Sequence, residues 1–243
     1  MSATDTVSKE INIAKSFFFI QDFFSWIVTK VPFTLQHNLE KYLTIKKAFY
    51  LTALENLQGD YYEFGVFTGS SFVCAMRSHN AFKHLGNTTT DFYGFDSFKG
   101  FGNVQDGDKH WFYRDSIFEI NEKKVLNFIR KKSGKNKVKI IKGFFDKTLK
   151  NKTCKELTKN KARIIFIDCD MKAPAALALD YTKPALQQGT IMILDDFFSY
   201  YGNKNKGLAG AFFDFCKKNK NIEFRELCRY GAGGIAYIVS DVK

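Results

Sequence analysis

Two short apolar runs, each ended by acidic residues, dominate the hydrophobic pattern of the chain. Residues 164–167 and 191–194 are rich in β-branched side chains and lack the alternation of a half-exposed strand. Such continuous runs are typical of parallel strands that are covered on both faces. The carboxyl ends of parallel strands meet at one edge of the sheet, where open α/β sheets bind ligands. The pattern therefore predicts a site just after these two runs.

The rest of the pattern alternates between strands and helices. Further strands are predicted over residues 61–64, 91–96, 138–142 and 235–240, the last after a glycine-rich turn at 230–234. Helical periodicity covers residues 42–57, 121–131, 147–161 and 208–218, and a stretch from Ala175 that Pro184 interrupts. Gly59 is a candidate C-terminal cap for the first of these helices. The alternation predicts an α/β fold with an open, mostly parallel sheet.

The N-terminal segment is largely helical and unusually aromatic. One helix presents an apolar face at helical spacing, formed by Phe17, Ile20, Phe24 and Ile27, and Pro32 separates it from the next helix. An apolar face of this size needs cover from the main domain, a second subunit or a membrane surface, and packing or dimerisation is favoured. We therefore predict a helical extension over residues 1–58 that contributes to a homodimer, followed by one domain over residues 59–243.

Four carboxylates follow the two apolar runs. Asp168 and Asp170 come directly after the first run, and Asp195 and Asp196 after the second. Carboxylates gathered at one place repel one another unless a cation or a proton holds them together. A hard divalent metal such as Mg²⁺ is the simplest solution, because it prefers oxygen ligands.

A glycine-containing loop follows the first predicted strand, in the sequence Y-Y-E-F-G-V-F-T-G-S-S. Gly65 and Gly69 permit a tight turn, and the helix that follows offers free N–H groups. A dinucleotide-binding loop has a glycine where Phe67 stands, and Glu63 is unsuited to phosphates but suited to an ammonium group. The loop therefore favours a cofactor that carries an amino acid. Asp96, at the end of the next strand, is placed to accept hydrogen bonds from ribose hydroxyls.

Two further segments lie near the predicted site. Residues 100–115 are polar and carry His110, Trp111 and Tyr113, which is typical either of a mobile loop beside the site or of a plain surface excursion. Phe144 or Phe145 is a candidate to flank an adenine ring, although either ring fits the core equally well.

Composition and charge add little to this picture. The formal charge is +12, yet only six of the 37 basic residues are arginine, which favours a solvated lysine surface over a face that reads nucleic acid. The five cysteines are scattered without a C-x-x-C pair, so neither a disulfide framework nor a zinc site is expected. The first residues lack a secretory pattern, and the most apolar segment is too short to span a bilayer. We expect a soluble cytoplasmic protein.

Four motifs taken together resemble a known family. E-F-G-V-F-T-G-S-S, F-D-S-F-K-G-F, I-D-C-D-M and G-T-I-M-I-L-D-D-F occur in order between about Tyr42 and Phe215. They resemble the macrocin-type sugar O-methyltransferases, which are class I enzymes dependent on S-adenosylmethionine. The resemblance implies a doubly wound, Rossmann-like, seven-stranded and mostly parallel sheet with a reversed final hairpin. It also implies a divalent-metal-dependent transfer of a methyl group to a sugar hydroxyl.

The resemblance also implies roles for individual residues. The methionine part of the cofactor is assigned to Glu63, Gly65 and Gly69, with Thr68, Ser70 and Ser71 nearby. Asp96 is assigned to the ribose, and we add Ser97 and Phe144 to the candidate cofactor-binding residues. Mg²⁺ is assigned to Asp168, Asp195 and Asp196, and Asp170 is the expected general base.

One departure from the family leaves the acceptor open. Lys172 stands where the family usually has Tyr or a similar residue, and it is a candidate base, a ligand of an anionic acceptor, or a surface residue. Catechol-type methyltransferases also place a lysine near the first metal ligand, so a phenolic acceptor is an alternative. The charge keeps RNA or another polyanion as a further alternative, and a scaffold without activity is the non-enzymatic one.

Overall fold

The computed structural model describes residues 3–102, 104, 106–113 and 117–243, and it contains fifteen named helices and strands in this part of the chain. In chain order they are α1 (Ala3–Ser16), α2 (Phe18–Lys30), α3 (Phe33–Leu54), β1 (Asp60–Phe64), α4 (Ser70–Phe82), β2 (Phe92–Asp96), α5 (Glu122–Ser133), β3 (Val138–Lys142), α6 (Phe145–Thr148), β4 (Ala162–Ile167), α7 (Lys172–Thr182), β5 (Ile191–Leu194), α8 (Gly207–Lys218), β6 (Ile222–Tyr230) and β7 (Gly234–Val242).

One seven-stranded sheet forms the centre of the fold, with the strand order β3-β2-β1-β4-β5-β7-β6. All neighbouring strands are parallel except β7, which runs antiparallel to both β5 and β6. The chain order reverses between β1 and β4, which is the place where doubly wound sheets bind their ligands. The predicted fold class, a doubly wound and mostly parallel sheet with a reversed final hairpin, is confirmed.

The central strands are buried on both faces, which explains their continuous apolar sequences. Every residue of β1, β4 and β5 is buried. One apolar layer packs the sheet against α3, α4 and α5 through residues such as Phe49, Phe72 and Ile129. The other layer packs the opposite face against α7 and α8 through residues such as Leu179 and Phe212.

A fully buried arginine lies at the amino end of β4. The Arg163 guanidinium donates to the Thr52 hydroxyl at 2.7 Å, to the Phe49 carbonyl at 3.0 Å and to the hydroxyls of Thr88 and Thr90. These four acceptors are neutral, and burial lowers the pKa of Arg163 to about 10. Because a guanidinium stays protonated even so, these contacts fasten α3 to the amino end of β4.

The chain forms two compact units, one ending at Asn38 and the other spanning Leu39–Lys243. The division falls inside α3, whereas the predicted boundary at 58/59 falls after that helix. In the first unit, α2 has no buried residue among its described side chains, and aromatic residues such as Phe18 and Trp26 are more than half exposed. No helix in the described part of the chain is long and apolar enough to cross a membrane.

Three local predictions were wrong. The lysine-rich stretch 147–161 is not a helix, because Asn151 adopts a left-handed conformation (φ 59°) and leaves only α6 and a short turn. Strand β6 was not foreseen from the pattern, since two register shifts against β7 interrupt its alternation. Gly59 does not cap α3; a Cβ there would lie 2.6 Å from the Lys161 carbonyl, so the glycine lets the chain enter β1 beside β4.

Candidate active site

The register of the sheet brings the predicted site residues to one edge. Phe64 of β1 pairs with Phe95 of β2 and with Ile167 of β4, and Ile167 pairs in turn with Leu194 of β5. The residues that follow these four positions are Gly65, Asp96, Asp168 and Asp195. The glycine loop, the residue predicted to bind ribose and the predicted metal ligands therefore lie side by side at the carboxyl ends of neighbouring strands.

Three carboxylates converge at this edge. Asp168, Asp195 and Asp196 each offer one oxygen atom, and these atoms all lie within 4.8 Å of one another. Asp170 is hydrogen-bonded to Asp196, and both residues adopt a left-handed conformation, with φ values of 58° and 48°. Such backbone conformations are uncommon outside glycine and are found at sites that must aim a side chain.

A lysine that the sequence reasoning missed lies against this cluster. The ammonium of Lys41, on α3, is 2.9 Å from Asp168 Oδ2 and forms a shorter contact with Asp195 Oδ2. Its side chain is 11% exposed, and its nitrogen lies 5.7 Å from the centre of the Phe166 ring. The chain thus supplies a cation of its own to two of the three predicted metal ligands.

Burial and mutual repulsion shift the pKa values of this cluster. Burial raises the pKa of Asp168 to about 7; Lys41 opposes the rise, and Asp195 and Asp196 add to it. Burial would lower the pKa of Lys41, but Asp168 and Asp195 outweigh it and raise that pKa, so the ammonium stays charged. Burial, followed by the Asp196 charge, raises the pKa of Asp170 well above its ordinary value. Asp170 therefore holds a proton more readily than an exposed aspartate does.

Glu63, the predicted partner of a cofactor ammonium, is fully buried at the end of β1. It accepts hydrogen bonds from the Tyr61 hydroxyl and, at 2.7 Å, from the Ser71 hydroxyl on α4. Burial raises its pKa to about 8, although both hydrogen bonds oppose the rise. The carboxyl group is therefore held in place by its own element and by the first turn of α4.

Gly65 joins the loop to the carboxylate cluster by direct backbone contact. It has a φ of 94°, and a Cβ there would lie 1.8 Å from the Asp168 carbonyl oxygen, so no other residue fits without moving the strand ends apart. Gly69, with a φ of 77°, packs against Ile129 of α5. The two predicted loop glycines are thus required by close packing as well as by any ligand.

The remaining predicted cofactor residues lie around this loop. Asp96 accepts hydrogen bonds from the backbone N–H of Phe67, at 2.7 Å, and of Phe98, at 2.6 Å, and so ties the glycine loop to the end of β2. The exposed Thr68 hydroxyl donates to Ser70 at 3.1 Å. Ser97 donates to the Gly100 carbonyl, which shapes the local turn.

The two adjacent phenylalanines after β3 have different surroundings. Phe145 packs edge-on against Phe64, with 5.8 Å between ring centres, and belongs to the apolar layer next to α7. The Phe144 ring lies against Gly102, where a Cβ would come within 2.7 Å of it. Of the two candidates for adenine stacking, Phe144 is the one that is not taken up by the core.

The segment 100–115 is docked onto the site rather than projecting from it. Asn103, Gln105 and residues 114–116 lie outside the described residues. In the described part, the Asp108 carboxylate accepts the backbone N–H groups of Lys172, at 2.8 Å, and Ala173, at 3.1 Å, at the start of α7. The Tyr113 hydroxyl is 2.7 Å from the Ser199 hydroxyl, and the Tyr200 hydroxyl donates to the Asp108 carbonyl.

We expect the substitution Asp108→Ala to lower the free energy of unfolding by about 1–2 kcal/mol, because it removes the cap from two N–H groups of α7. Asp108→Asn, which keeps one acceptor oxygen, should lose about half as much. Asp106→Ala is the matched control in the same turn, since Asp106 pairs only with the exposed Lys109 in the described contacts. Urea unfolding measures all three variants, and equal stability of the Ala variants would contradict the capping role.

Lys172, the other predicted catalytic residue, is directed to a different part of the fold. Its ammonium lies 2.7 Å from Asp214 Oδ2 on α8 and 3.1 Å from the Asn205 carbonyl. A cleft of about 600 Å³ opens there, lined by residues of the α7 and α8 region that include Asp108, Lys172, Asn205, Lys206 and Asp214. Of the predicted site residues it contains only Lys172, so we assign no catalytic role to this lysine.

Known structures with a similar fold define the class of protein. The O-methyltransferase NovP is 20% identical, with 82% of this chain and 79% of that chain covered and a TM-score of 0.65. The calicheamicin methyltransferase CalS11 is 16% identical, with 82% and 77% covered and a TM-score of 0.62. An O-methyltransferase from Bacillus cereus in complex with SAH is 14% identical, with 82% and 81% covered and a TM-score of 0.53. The fold is that of the class I methyltransferases.

The sequence model of the macrocin-O-methyltransferase (TylF) family matches residues 39–223, and the chain belongs to that family. It is therefore an O-methyltransferase that depends on S-adenosylmethionine. The matched range begins where the second compact unit begins. No curated protein sequence matches the chain significantly.

Proposed function

We propose that this enzyme transfers the methyl group of S-adenosylmethionine to a sugar hydroxyl, with a divalent cation, Mg²⁺, held by the carboxylate cluster. The observation that carries the proposal is the backbone contact between Gly65 and Asp168, which puts the cofactor loop directly beside the three converging carboxylates. A methyl transfer needs donor and acceptor oxygen at such close range. A related structure, CalS11, is described as a TDP-rhamnose 3'-O-methyltransferase, which supports a sugar as acceptor.

The cofactor residues act by position and charge. Glu63, once ionised, is the partner for the amino group of the methionine part, and the loop Gly65–Gly69 leads that part past the end of β1. Asp96 has both oxygens on backbone N–H groups yet keeps lone pairs for ribose hydroxyls. The proposed binding surface is completed by Thr68, Ser70, Ser71, Ser97 and Phe144.

The donor set fits a hard divalent cation. Asp168, Asp195 and Asp196 supply oxygen atoms from two neighbouring strand ends, and the Lys41 ammonium shows that two of them already bind a positive charge. When bound, such a cation lowers the pKa of a coordinated hydroxyl and fixes its oxygen for attack.

Asp170 is the proposed acceptor of the hydroxyl proton. Its left-handed backbone turns its side chain toward the cluster, where it is hydrogen-bonded to Asp196. Burial, followed by the Asp196 charge, raises the pKa of Asp170, which makes its carboxylate a stronger base. It accepts the hydroxyl proton only when its own carboxyl group is ionised.

The acceptor class is tested with a panel of nucleotide sugars, simple glycosides, catechols and RNA, each incubated with S-adenosylmethionine carrying a labelled methyl group. We expect label in the sugars, loss of transfer in EDTA and recovery with Mg²⁺. Label in catechols or RNA alone would overturn the sugar assignment, and transfer that EDTA does not affect would overturn the metal assignment. The contacts of Lys172 with α8 give the catechol alternative no support.

We also propose that the exposed helix α2 forms a homodimer contact and that the enzyme works in the cytoplasm. All described side chains of α2 are exposed, and a face with several phenylalanines and a tryptophan is too apolar to remain solvated. Five free cysteines suit a reducing compartment.

Removal of residues 1–35 should therefore convert a dimer into a monomer, because it deletes the apolar helices while leaving the family domain, which starts at 39. Light scattering after size-exclusion chromatography measures the change. The matched variant Lys9→Ala, on an exposed position of α1, should remain dimeric. An unchanged mass for the truncated chain would refute the contact, and insolubility would point to apolar surface elsewhere.

A further inference from the structure

We infer that Lys41 is a built-in competitor of the divalent metal: its ammonium and the metal ion are alternative occupants of the Asp168–Asp195 carboxylate pair. The inference rests on the cation site proposed above. It adds that this chain tunes the affinity of that site with a lysine from α3. The metal then binds only when the Lys41 contact is released.

The contacts of Lys41 are those of a cation in a ligand set. The ammonium contacts the Oδ2 atoms of both carboxylates, and these two residues come from different strands, β4 and β5. The Asp195 side chain is 1% exposed, so little water screens the pair. Two cations that share the same buried carboxylate oxygens repel each other, which makes simultaneous occupation unfavourable.

The surroundings of Lys41 hold its side chain in the protein interior rather than in solvent. It lies on the buried side of α3, one helical turn before Ile45, and its ammonium lies 5.7 Å from the centre of the Phe166 ring. The neighbouring Glu40 accepts the backbone N–H of Gly231, which holds this part of the helix at the carboxyl edge of the sheet. A long, flexible lysine side chain can withdraw without a movement of the helix.

Lys41 also offsets part of the negative charge of the carboxylate cluster. Three converging carboxylates without a cation would repel one another at the end of two buried strands. When no metal is bound, Lys41 neutralises part of this charge and so stabilises the folded enzyme. The same attraction must be broken when the metal binds, and it weakens the apparent affinity of the site.

The test compares metal binding by the full-length protein with and without this lysine. Calorimetric titration with Mn²⁺ as the probe, without cofactor or acceptor, is carried out on the wild type, Lys41→Met and Lys41→Gln. Lys47→Met is the matched control, because Lys47 is on the same helix and exposed. We expect the Lys41 variants to bind Mn²⁺ at least tenfold more tightly than the wild type and Lys47→Met to be unchanged.

Thermal unfolding supplies a second readout that does not depend on activity. Without metal the Lys41 variants should melt below the wild type, and Mn²⁺ should raise their melting temperature more than it raises that of the wild type. Equal or weaker Mn²⁺ binding by both Lys41 variants would overturn the competition while leaving the metal site intact. Absence of binding in every variant would overturn the metal site itself, and the competition with it.

Lys41→Arg, which keeps the charge, covers the case in which the neutral variants fail to fold. Its Mn²⁺ binding should stay as weak as that of the wild type, and tighter binding would contradict the inference.

Discussion

Replacement of Asp195 by asparagine should reduce the rate of methyl transfer by about three orders of magnitude or more and leave the affinity for S-adenosylmethionine within about threefold of the wild type. Asp195 is a member of the converging carboxylate cluster and is 1% exposed, so no water replaces the lost charge. A metal and a base together supply several kcal/mol of barrier reduction, and each 1.4 kcal/mol or so is a factor of about ten.

The affinity for the cofactor should survive because the residues proposed to hold it are different ones. Glu63 is hydrogen-bonded to Tyr61 and Ser71, and Asp96 to the backbone of Phe67 and Phe98, so these contacts do not involve Asp195. Asparagine has the same shape as aspartate, and Lys41 keeps its second partner, Asp168, so the fold should persist. Asp214→Asn is the control, since it alters an exposed ion pair on α8. Turnover by the Asp195 variant at the wild-type rate would remove the cluster from the mechanism.

Glu63→Gln is the second substitution with a large expected effect: it should weaken the binding of S-adenosylmethionine by about tenfold to a hundredfold, because a hydrogen bond to a charged group contributes about 1.5–3 kcal/mol. Glutamine keeps the size of the side chain and a partner for the Tyr61 and Ser71 hydroxyls but cannot become an anion. Calorimetric titration with S-adenosylmethionine measures the change. Glu226→Gln, in an exposed pair with Arg229, is the control.

The pKa of Glu63 also predicts how binding and stability depend on pH. Burial raises it from 4.5 to about 8, so at pH 7 the carboxyl is protonated in the folded, cofactor-free enzyme and ionised in the unfolded chain. The folded state binds the extra proton, so the stability contributed by this group falls as the pH rises from about 4.5 to about 8 and is constant above that. We therefore compare the free energy of unfolding of Glu63→Gln with that of the wild type at each pH. The difference should shift in favour of the variant by roughly a few kcal/mol between pH 5 and pH 9.

The cofactor affinity should change in the opposite direction. An ammonium group favours the ionised carboxylate, so binding has to remove the proton from Glu63 below pH 8. The affinity of the wild type should rise from pH 6 to pH 8, with release of a proton, and that of Glu63→Gln should show no such rise. A calorimetric titration in buffers of different ionisation enthalpy detects the proton. A parallel pH dependence in both proteins would exclude Glu63 as its source.

Strand-end chemistry could be predicted from the sequence because it follows from local pattern. The apolar runs before Asp168 and Asp195 identify buried strands, and the carboxylates that end them need no knowledge of distant parts of the chain. The loop at Gly65 was recognised in the same way. The register of the sheet then aligned these positions at one edge, as parallel pairing requires.

Long-range contacts could not be predicted in this way. Lys41 lies 127 positions before Asp168 in the chain, and Asp108 lies 64 before Lys172. One sign of Lys41 was nevertheless present: α3 begins at Phe33 rather than near 42, and its buried stripe through Ile45 and Phe49 leads back by one turn to this lysine. A charged residue in line with an apolar stripe is a reason to look for a buried partner.

Lys172 is the opposite case, a residue close to the cluster in sequence whose side chain contacts another part of the fold. The sequence places it next to the predicted metal ligands, but α7 begins at this residue, and the helix directs its side chain to α8. Nearness along the chain is a poor guide to contact at the point where a strand end becomes a helix.

The attachment of α3 to β4 has a consequence for how the site can open. Between Lys41 and Thr52 the helix runs antiparallel to the strand and contacts both ends of it. Lys41 contacts Asp168, the residue after the strand, and Phe49 and Thr52 contact Arg163 near its start. Loss of the Lys41 contact leaves the Arg163 network untouched. The proposed metal can therefore enter by withdrawal of the Lys41 side chain alone, while α3 and the hydrophobic interior stay in place.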